Sequence, residues 1–418
     1  SHATVYVNSK KVGYWPYGYN SFYFDITDAL KSGEENTIAV RLENPTEFSR
    51  WYPGAGIYRN VHLLLTDAAH IPVWGTRLTT PIVNENYSKV ELNVKVELPD
   101  SSNLADYKLE TVIKGPKGDI ITTSKASLQS YSTSQFSQEF IIERPQLWDV
   151  DNPNLYKAVS KLYEKNKLVD QYETTFGIRS IEIIPGKGFF LNGKPTKFKG
   201  VCNHHDLGPL GAAVNDAAIR RQVRIMKDMG VNAIRTSHNM PPPELVKACD
   251  EMGMMLMPET FDEWKSPKMK NGYNTLFDEW VEKDLVNLLH QYRNSPSVVM
   301  WCIGNEVPDQ GTKNGPKLAK RLQDICHRED PTRPVTNGMD NPTAVLGNGM
   351  AAIMDIAGFN YRPFRYKEAY EKLPQQIILG SETASTVSTR GVYKFPVTRE
   401  TMKKYEDHQS SSYDLEHC

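Results

Sequence analysis

Two glutamates in this sequence each follow directly on an apolar run. Glu306 comes after residues 300–305, and Glu382 comes after residues 377–381. Two carboxyl groups flanking a glycosidic bond can hydrolyse it, because one protonates the leaving oxygen and the other attacks the sugar or activates water. A separation of roughly 5 Å gives retention of the anomeric configuration, and roughly 6.5 to 9.5 Å gives inversion. The alternative interpretation is that both glutamates are solvated loop residues.

The two tasks need different protonation states at one pH, because the acid must hold a proton while the nucleophile stays ionised. A cation beside Glu382 would favour its ionised form, and Arg235 is the predicted cation. Glu306 is predicted to be the acid, because a nearby carboxylate and a partly dry site both disfavour its charge.

The elements that must position these residues alternate between strands and amphipathic helices from about residue 183 onward, which predicts a parallel sheet of βα units. One predicted helix begins near Asn215 or Asp216, buries Ile219, Val223 and Met226 on one face, and ends at Gly230. Seven strands are predicted, one fewer than in a closed (β/α)₈ barrel. Their ranges are 197–201, 232–236, 254–258, 298–303, 334–336, 356–359 and 377–379.

Active sites of such barrels lie at the carboxyl ends of the strands. Polar residues follow six of the predicted strands, and we expect them to form one pocket. They are His204, His205 and Asp206 after the first strand, Arg235 and His238 after the second, Glu259, Asp262 and Glu263 after the third, Asn305 and Glu306 after the fourth, Tyr361 after the sixth, and Glu382 after the seventh.

The first part of the chain has a different pattern. Short alternating runs broken by turns, from residue 3 to residue 65, predict a piece of an antiparallel sandwich. Alternating runs from about residue 70 to residue 177 span about 100 residues, which suits one immunoglobulin-like sandwich. The total of 418 residues allows roughly two to four domains.

Composition excludes several classes of protein. The formal net charge of -1 gives no basic face for nucleic acid. The five cysteines are scattered without CxxC spacing, so they predict free, mostly buried thiols and neither a disulfide framework nor a zinc site. No stretch approaches the roughly 20 apolar residues of a membrane span, and the first residues lack the pattern of a signal peptide.

Several short stretches carry a resemblance to a known family. The most specific are residues 304–306, 381–382, 234–238, 200–204 and 51–60. In these stretches the chain resembles glycoside hydrolase family 2, the family of bacterial β-galactosidases, β-glucuronidases and β-mannosidases. The resemblance implies a proton donor at Glu306 and a nucleophile at Glu382. It also implies sugar-contacting roles for Asn305, His204, Arg235, His238 and Tyr361.

The resemblance further implies a three-domain architecture. It consists of a partial sugar-binding-like jelly roll in residues 1–69, an immunoglobulin-like β-sandwich in 70–181, and a catalytic TIM barrel in 182–418. Against the family pattern, the first jelly-roll strands and the eighth barrel strand, with its aromatic residue, are expected to be missing. An open barrel would leave an unpaired sheet edge, so this chain alone is expected to be unstable or inactive.

Departures from the family pattern bear on metal and substrate. Magnesium-dependent galactosidases of the family carry a Glu-X-His after the third strand, but residues 259–264 contain no such His, so we predict no catalytic metal and no cofactor. Those enzymes also carry a His three residues beyond the nucleophile, where this sequence has Ser385. The Asn-X-Lys by which glucuronidases read the sugar carboxylate would lie beyond residue 418.

The predicted function is exo-hydrolysis of a terminal β-D-galactoside, with retention. The predicted partner is thus a terminal β-linked sugar of an oligo- or polysaccharide, without nucleic acid or membrane. Alternatives are a β-glucuronidase or β-mannosidase of the same family, and a non-catalytic carbohydrate-binding protein, which two β-sandwiches and a missing eighth strand would suit. The sequence leaves open whether the protein forms a homo-oligomer and whether it is periplasmic or cytoplasmic in a bacterium.

Overall fold

A computed structural model of the chain describes residues 1–51, 56–100, 102–127 and 134–384. Antiparallel strands come first, and parallel strands alternating with helices follow. In these residues the strands are β1 (Ala3–Val7), β2 (Lys10–Trp15), β3 (Ile38–Leu42), β4 (Thr76–Val83), β5 (Tyr87–Lys95), β6 (Tyr107–Lys114), β7 (Ile120–Ser127), β8 (Gln135–Glu143), β9 (Tyr156–Glu164), β10 (Lys167–Phe176), β11 (Ile181–Ile184), β12 (Gly188–Leu191), β13 (Lys194–Pro195), β14 (Gly200–Asn203), β15 (Ala233–Thr236), β16 (Met255–Met257), β17 (Trp301–Asn305), β18 (Val335–Met339), β19 (Ile356–Asn360) and β20 (Ile378–Glu382). The α-helices are α1 (Asp216–Asp228), α2 (Pro243–Met252), α3 (Phe277–Tyr292), α4 (Gly315–Glu329), α5 (Pro342–Gly347), α6 (Met350–Ile353) and α7 (Tyr366–Lys372).

The strands before residue 181 form three antiparallel sheets. The first has the order β2-β1-β3. The other two, β4-β5-β8 and β10-β9-β6-β7, enclose one hydrophobic core between them. Strand β5 shows why: its side chains alternate, so that Val90, Leu92 and Val94 are fully buried. Burial of each such side chain stabilises the fold by about 1.5–3 kcal/mol. The alternation predicted from the sequence places these side chains on one face of β5, and their burial holds the two sheets together.

Seven parallel strands follow in chain order. Strands β14-β15-β16 form one sheet and β17-β18-β19-β20 another, and parallel bridges between Leu256 and Val298 and between Glu259 and Cys302 connect the two. Among the described residues no strand pairs with both β14 and β20, so these strands do not close into a barrel. The amino ends of the strands are covered by apolar side chains that include Trp148, Phe189 and Leu191.

The helices begin and end where local chemistry dictates. The side chain of Asn215 accepts a hydrogen bond from the backbone N–H of Ala218 at 2.9 Å, which caps α1. The predicted face of Ile219, Val223 and Met226 is buried. Helix α2 ends at Gly253, whose φ of 70° lies in the left-handed region that glycine tolerates best.

The fourth barrel strand differs from its prediction. The sequence predicts a strand over 298–303, but β17 spans Trp301–Asn305. Regular pairing with β18 begins only at Trp301 opposite Val335, although Val298 and its neighbours are equally apolar. Apolar character thus predicted the position of the buried segment, whereas hydrogen bonding with β18 determined where the strand begins and ends.

The cysteines are free where the structure describes them. Cys249, Cys302 and Cys326 are buried, as predicted, whereas Cys202 on β14 is exposed. Cys418 lies outside the described residues. In the described part of the chain, no helix combines the length and the apolar character needed to cross a lipid bilayer.

A buried carboxylate on α3 connects this helix to β2 and to the segment that follows β2. Asp284 of α3 has no solvent exposure and accepts hydrogen bonds from Trp15 Nε1 at 2.8 Å, Asn20 Nδ2 at 2.8 Å and Tyr273 Oη at 2.6 Å. Burial raises the pKa of Asp284 to about 6, against the partial opposition of these hydrogen bonds. The carboxyl group is therefore more easily ionised in the unfolded chain than in the folded one.

We expect Asp284→Asn to change how stability depends on pH. Because the folded pKa is raised, wild-type stability falls as the pH rises from about 4 to about 6, by about 3 kcal/mol, and stays reduced above that range. Asn resembles the protonated, neutral form of Asp. The free energy of unfolding of the variant, relative to that of wild type, should therefore be higher at pH 7 than at pH 4 by that amount. Urea unfolding at both pH values measures the change, with the exposed Asp278→Asn of the same helix as control. An identical difference at both pH values would contradict the expectation.

Candidate active site

Glu306 lies just beyond β17, where the chain turns sharply. Its φ of 43° is in the left-handed region, which is uncommon for a residue with a side chain and occurs at functional sites. Its backbone N–H donates to the carbonyl of Gly338 at 2.7 Å, which fixes the turn against β18. Its carboxylate oxygen Oε1 accepts a hydrogen bond from Asn360 Nδ2 at 3.0 Å. Contacts with two neighbouring strands, β18 and β19, therefore hold Glu306 in place.

The surroundings of Glu306 favour its protonated form. Burial raises the pKa of this carboxyl group, and the negative charges of Asp340 and Glu382 add to the effect. The hydrogen bond from Asn360 and the charge of Lys268 oppose it without reversing it.

Glu382, the last residue of β20, has the opposite electrostatic environment. Its Oε1 accepts a hydrogen bond from Arg235 Nη1 at 2.6 Å and lies 3.4 Å from His238 Nε2. Burial alone would raise the pKa of Glu382, but Arg235, His238 and a hydrogen bond from the Tyr361 side chain outweigh it and lower the pKa below its usual value. The cation predicted from the sequence is thus in direct contact with this carboxylate.

Two amides connect the surroundings of the two glutamates. Asn305 Oδ1 accepts hydrogen bonds from Arg235 Nη2 at 2.9 Å and from Asn360 Nδ2 at 3.0 Å. Ser381 Oγ donates to Asn360 Oδ1 at 2.7 Å. The network leaves little space: a Cβ at Gly338 would lie 2.7 Å from Arg235 Nη2, so only glycine fits there.

Aromatic rings pack against one another beside Glu382. The ring of Trp51 lies 4.4 Å from that of His204 and 5.1 Å from that of His238, measured between centroids. Burial lowers the pKa of His204, and the neighbouring His238 adds to this effect. Contacts at the carboxyl ends of the strands therefore link all the residues predicted for the site, which are Glu306, Glu382, Asn305, His204, Arg235, His238 and Tyr361.

A cluster of opposite charges contacts Asn305. Arg50, from the segment after β3, donates two hydrogen bonds of 2.8 Å to the two oxygens of Asp262. Asp262 also accepts hydrogen bonds from Asn305 Nδ2 and Lys268 Nζ, each at 2.9 Å. Burial would raise the pKa of Asp262, but the hydrogen bonds and charges of Arg50 and Lys268 lower it strongly.

Comparison with known sequences identifies the family. Residues 182–413 match the family described as "Glycosyl hydrolases family 2, TIM barrel domain", and residues 70–179 match the one described as "Glycosyl hydrolases family 2". The chain belongs to glycosyl hydrolase family 2. This agrees with the resemblance inferred from the motifs, and the barrel domain covers the part of the chain that contains both glutamates.

Relatives of the family 2 chain carry different names. It is 37% identical to "Beta-galactosidase BoGH2A" of Bacteroides ovatus over 95% of the chain and 51% of that protein. It is 31% identical to a "Beta-glucuronidase" of Bacteroides fragilis over 81% of the chain and 50% of that protein. The crystal structure of a family 2 member from Bacteroides cellulosilyticus superposes with a TM-score of 0.88 at 35% identity, covering 92% of this chain and 50% of that one. The chain spans about half the length of the relatives it matches.

Not every polar residue after a strand of this family 2 barrel faces the pocket. Glu263 accepts backbone hydrogen bonds from Lys268, Met269 and Asn274, so it organises the loop that carries Lys268. The His205 ring packs edge-on against Tyr19, and burial lowers its pKa to about 4. The expectation that all these residues share one pocket was therefore too broad, because side chains after a strand can also pack outward or brace a loop.

Other residues in contact with the site were not predicted as site residues. Arg50, Trp51, Lys268 and Asn360 are examples, and Glu259 and Asp262 were recognised only as polar residues after a strand. Asn360 could have been found, because it precedes Tyr361 as Asn305 precedes Glu306. Arg50 gave no comparable signal, since it is distant in sequence from every barrel strand.

The prediction that no metal takes part remains a prediction. Within the described ranges, no group of three or more His, Cys, Asp or Glu side chains is arranged to hold a metal ion. Glu259, the first residue of the stretch in which a Glu-X-His was sought, instead binds His238 and Arg235. Ser385, the other departure noted in the sequence, lies outside the described residues.

Proposed function

We propose that the complete gene product hydrolyses a terminal β-linked sugar with retention, using Glu382 as nucleophile and Glu306 as acid and base. The observation that carries this proposal is the opposite electrostatic environment of the two carboxyl groups: Arg235 contacts Glu382 at 2.6 Å and lowers its pKa, whereas burial raises the pKa of Glu306. An ionised carboxylate and a protonated carboxyl in one pocket are the two states that a double displacement requires.

In the first step, a carboxylate oxygen of Glu382 attacks the anomeric carbon and forms an ester with it. The bond to the leaving oxygen breaks as Glu306 gives its proton to that oxygen, so the aglycone leaves as an alcohol. In the second step, the Glu306 carboxylate takes a proton from water, whose oxygen attacks the same carbon and displaces Glu382. Both glutamates then return to their starting protonation states.

This mechanism predicts a bell-shaped dependence of kcat/KM on pH. Activity should fall as the pH drops through the lowered pKa of Glu382, because the nucleophile is then protonated. It should also fall as the pH rises through the raised pKa of Glu306, because the acid has then lost its proton. Initial rates with an aryl glycoside across the pH range test this, and a profile with no alkaline limb would argue against Glu306 as the acid.

For the sugar, we propose a β-D-galactoside. The 37% identity with a protein named β-galactosidase supports this choice, and the 31% identity with one named β-glucuronidase keeps the glucuronide as the alternative. The β-mannoside is a further alternative, from the family resemblance alone. A panel of aryl β-glycosides decides between them. We expect turnover of the galactoside, whereas turnover of the glucuronide or mannoside alone would overturn the choice. Calorimetric binding of sugar without hydrolysis of any of them would indicate a carbohydrate-binding protein instead.

We also propose the finer division of the chain. Residues 1–69 are assigned to a partial jelly roll, 70–181 to an immunoglobulin-like sandwich, and 182–418 to a TIM barrel domain. The three-stranded sheet β2-β1-β3, the two-sheet core and the seven parallel strands support the three parts in turn.

A further inference from the structure

Glu259 lies beneath the pocket, just beyond β16, and has no solvent exposure. Its Oε1 accepts a hydrogen bond from His238 Nδ1 at 2.7 Å. Its Oε2 accepts one from the thiol of Cys302 at 2.9 Å and also contacts Arg235 Nη2. Its backbone N–H donates to Thr236 Oγ1 at 2.9 Å. The carboxylate is therefore held rigidly where no substrate reaches it.

Two of the side chains that bind the Glu259 carboxylate also contact the proposed nucleophile. Arg235 reaches Glu382 through Nη1 and Glu259 through Nη2, and His238 faces Glu382 with Nε2 and Glu259 with Nδ1. Each therefore lies between two carboxylates, only one of which can react. Arg235 is 3% exposed, so its charge depends on these partners rather than on water.

The second carboxylate matters when the first one reacts. In the proposed double displacement, Glu382 loses its negative charge on forming the ester with the sugar. A buried cation that loses its counter-ion is destabilised, because neither water nor another charge replaces the lost interaction. Glu259 continues to neutralise Arg235 at that moment, so less of this cost is added to the barrier.

We propose that Glu259 is a positioning residue for the reaction. It holds Arg235 and His238 in contact with Glu382. It also neutralises part of the charge of Arg235, so that Glu382 stays ionised but is not bound to Arg235 too tightly to attack the anomeric carbon. This inference rests on the proposed function of Glu382.

The test is Glu259→Gln in the complete gene product, which keeps the shape of the side chain and removes its charge. Arg235 would then have Glu382 as its main counter-ion. We expect kcat/KM to fall on the order of 10²-fold, and the acid limb of its pH profile to move down by about one pH unit. A role confined to packing predicts an acid limb that stays in place, or moves up because Arg235 is displaced, and either result would overturn the proposal.

Two further variants serve as controls. Cys302→Ala removes a neutral donor from the same carboxylate and should leave the acid limb in place. Glu259→Asp keeps the charge, so it should also keep the acid limb while slowing the formation of the glycosyl-enzyme. If Glu259→Gln does not fold, as judged by circular dichroism, Glu259→Asp decides alone, with KM measured as well. Slower formation of the glycosyl-enzyme with an unchanged acid limb and an unchanged KM supports the proposal, whereas a raised KM, a shifted limb or an unchanged rate rejects it.

Failure of the inference can be told from failure of the proposed function. Wild-type protein is incubated with an activated 2-deoxy-2-fluoro glycoside of the sugar that it turns over, and the labelled peptide is located by mass spectrometry. Absence of a label on Glu382 would reject the proposed function, and the inference with it. A label on Glu382 together with an unaltered pH profile in Glu259→Gln would reject the inference alone.

Discussion

Replacing Glu382 with Gln should remove glycoside hydrolysis, with a loss on the order of 10⁴-fold or more in kcat. Gln has nearly the same shape and can still accept a hydrogen bond from Arg235, but its amide oxygen is a far weaker nucleophile than a carboxylate. The first bond to the anomeric carbon therefore cannot form at a useful rate. Rates with an aryl glycoside measure the loss.

The smaller Glu382→Ala variant makes the assignment more specific. Azide can enter the space that the side chain leaves and attack the anomeric carbon from the same face. The product should then be the α-glycosyl azide, with activity partly restored. Wild-type protein treated with azide should give no such product. Unchanged turnover in either variant would exclude Glu382 as the nucleophile.

Replacing Glu306 with Ala should have an effect that depends on the leaving group. For an aglycone that needs a proton to depart, we expect a loss of about 10² to 10⁴-fold, the usual contribution of general acid–base catalysis. For a strongly activated aryl glycoside, the first step should be nearly unaffected, because the leaving group departs without assistance. The second step should be slow, since no base activates the water, and the glycosyl-enzyme should accumulate as a pre-steady-state burst.

Azide also distinguishes the two glutamates. In Glu306→Ala it needs no base to attack the accumulated glycosyl-enzyme, so it should speed turnover and give the β-glycosyl azide. The matched control is Glu371→Ala, at an exposed glutamate of α7, which should behave as wild type. Equal losses for all leaving groups in Glu306→Ala would contradict the assignment of the acid and base.

The features of the fold that were predicted correctly from the sequence depend on interactions between residues that are close in the chain. The cap at Asn215 and the buried face of α1 depend on neighbours within one or two turns of helix, so spacing alone predicted them. The alternation in β5 likewise predicted which side chains face the sandwich core. The limits of β17 were predicted less well, because its hydrogen-bond partners come from a strand more than 30 residues away.

The sequence by itself determined which kinds of chemistry were available: two glutamates, an arginine and an asparagine placed where parallel strands end. Only the tertiary structure decided what each of them experiences. It brought Arg235 within 2.6 Å of Glu382, placed the half-buried Glu306 near the carboxylates of Asp340 and Glu382, and brought Arg50 from the first β region into contact with Asp262. The physical reason is that a pKa or an ion pair depends on distances of a few ångströms and on exclusion of water, and both arise from contacts between distant parts of the chain.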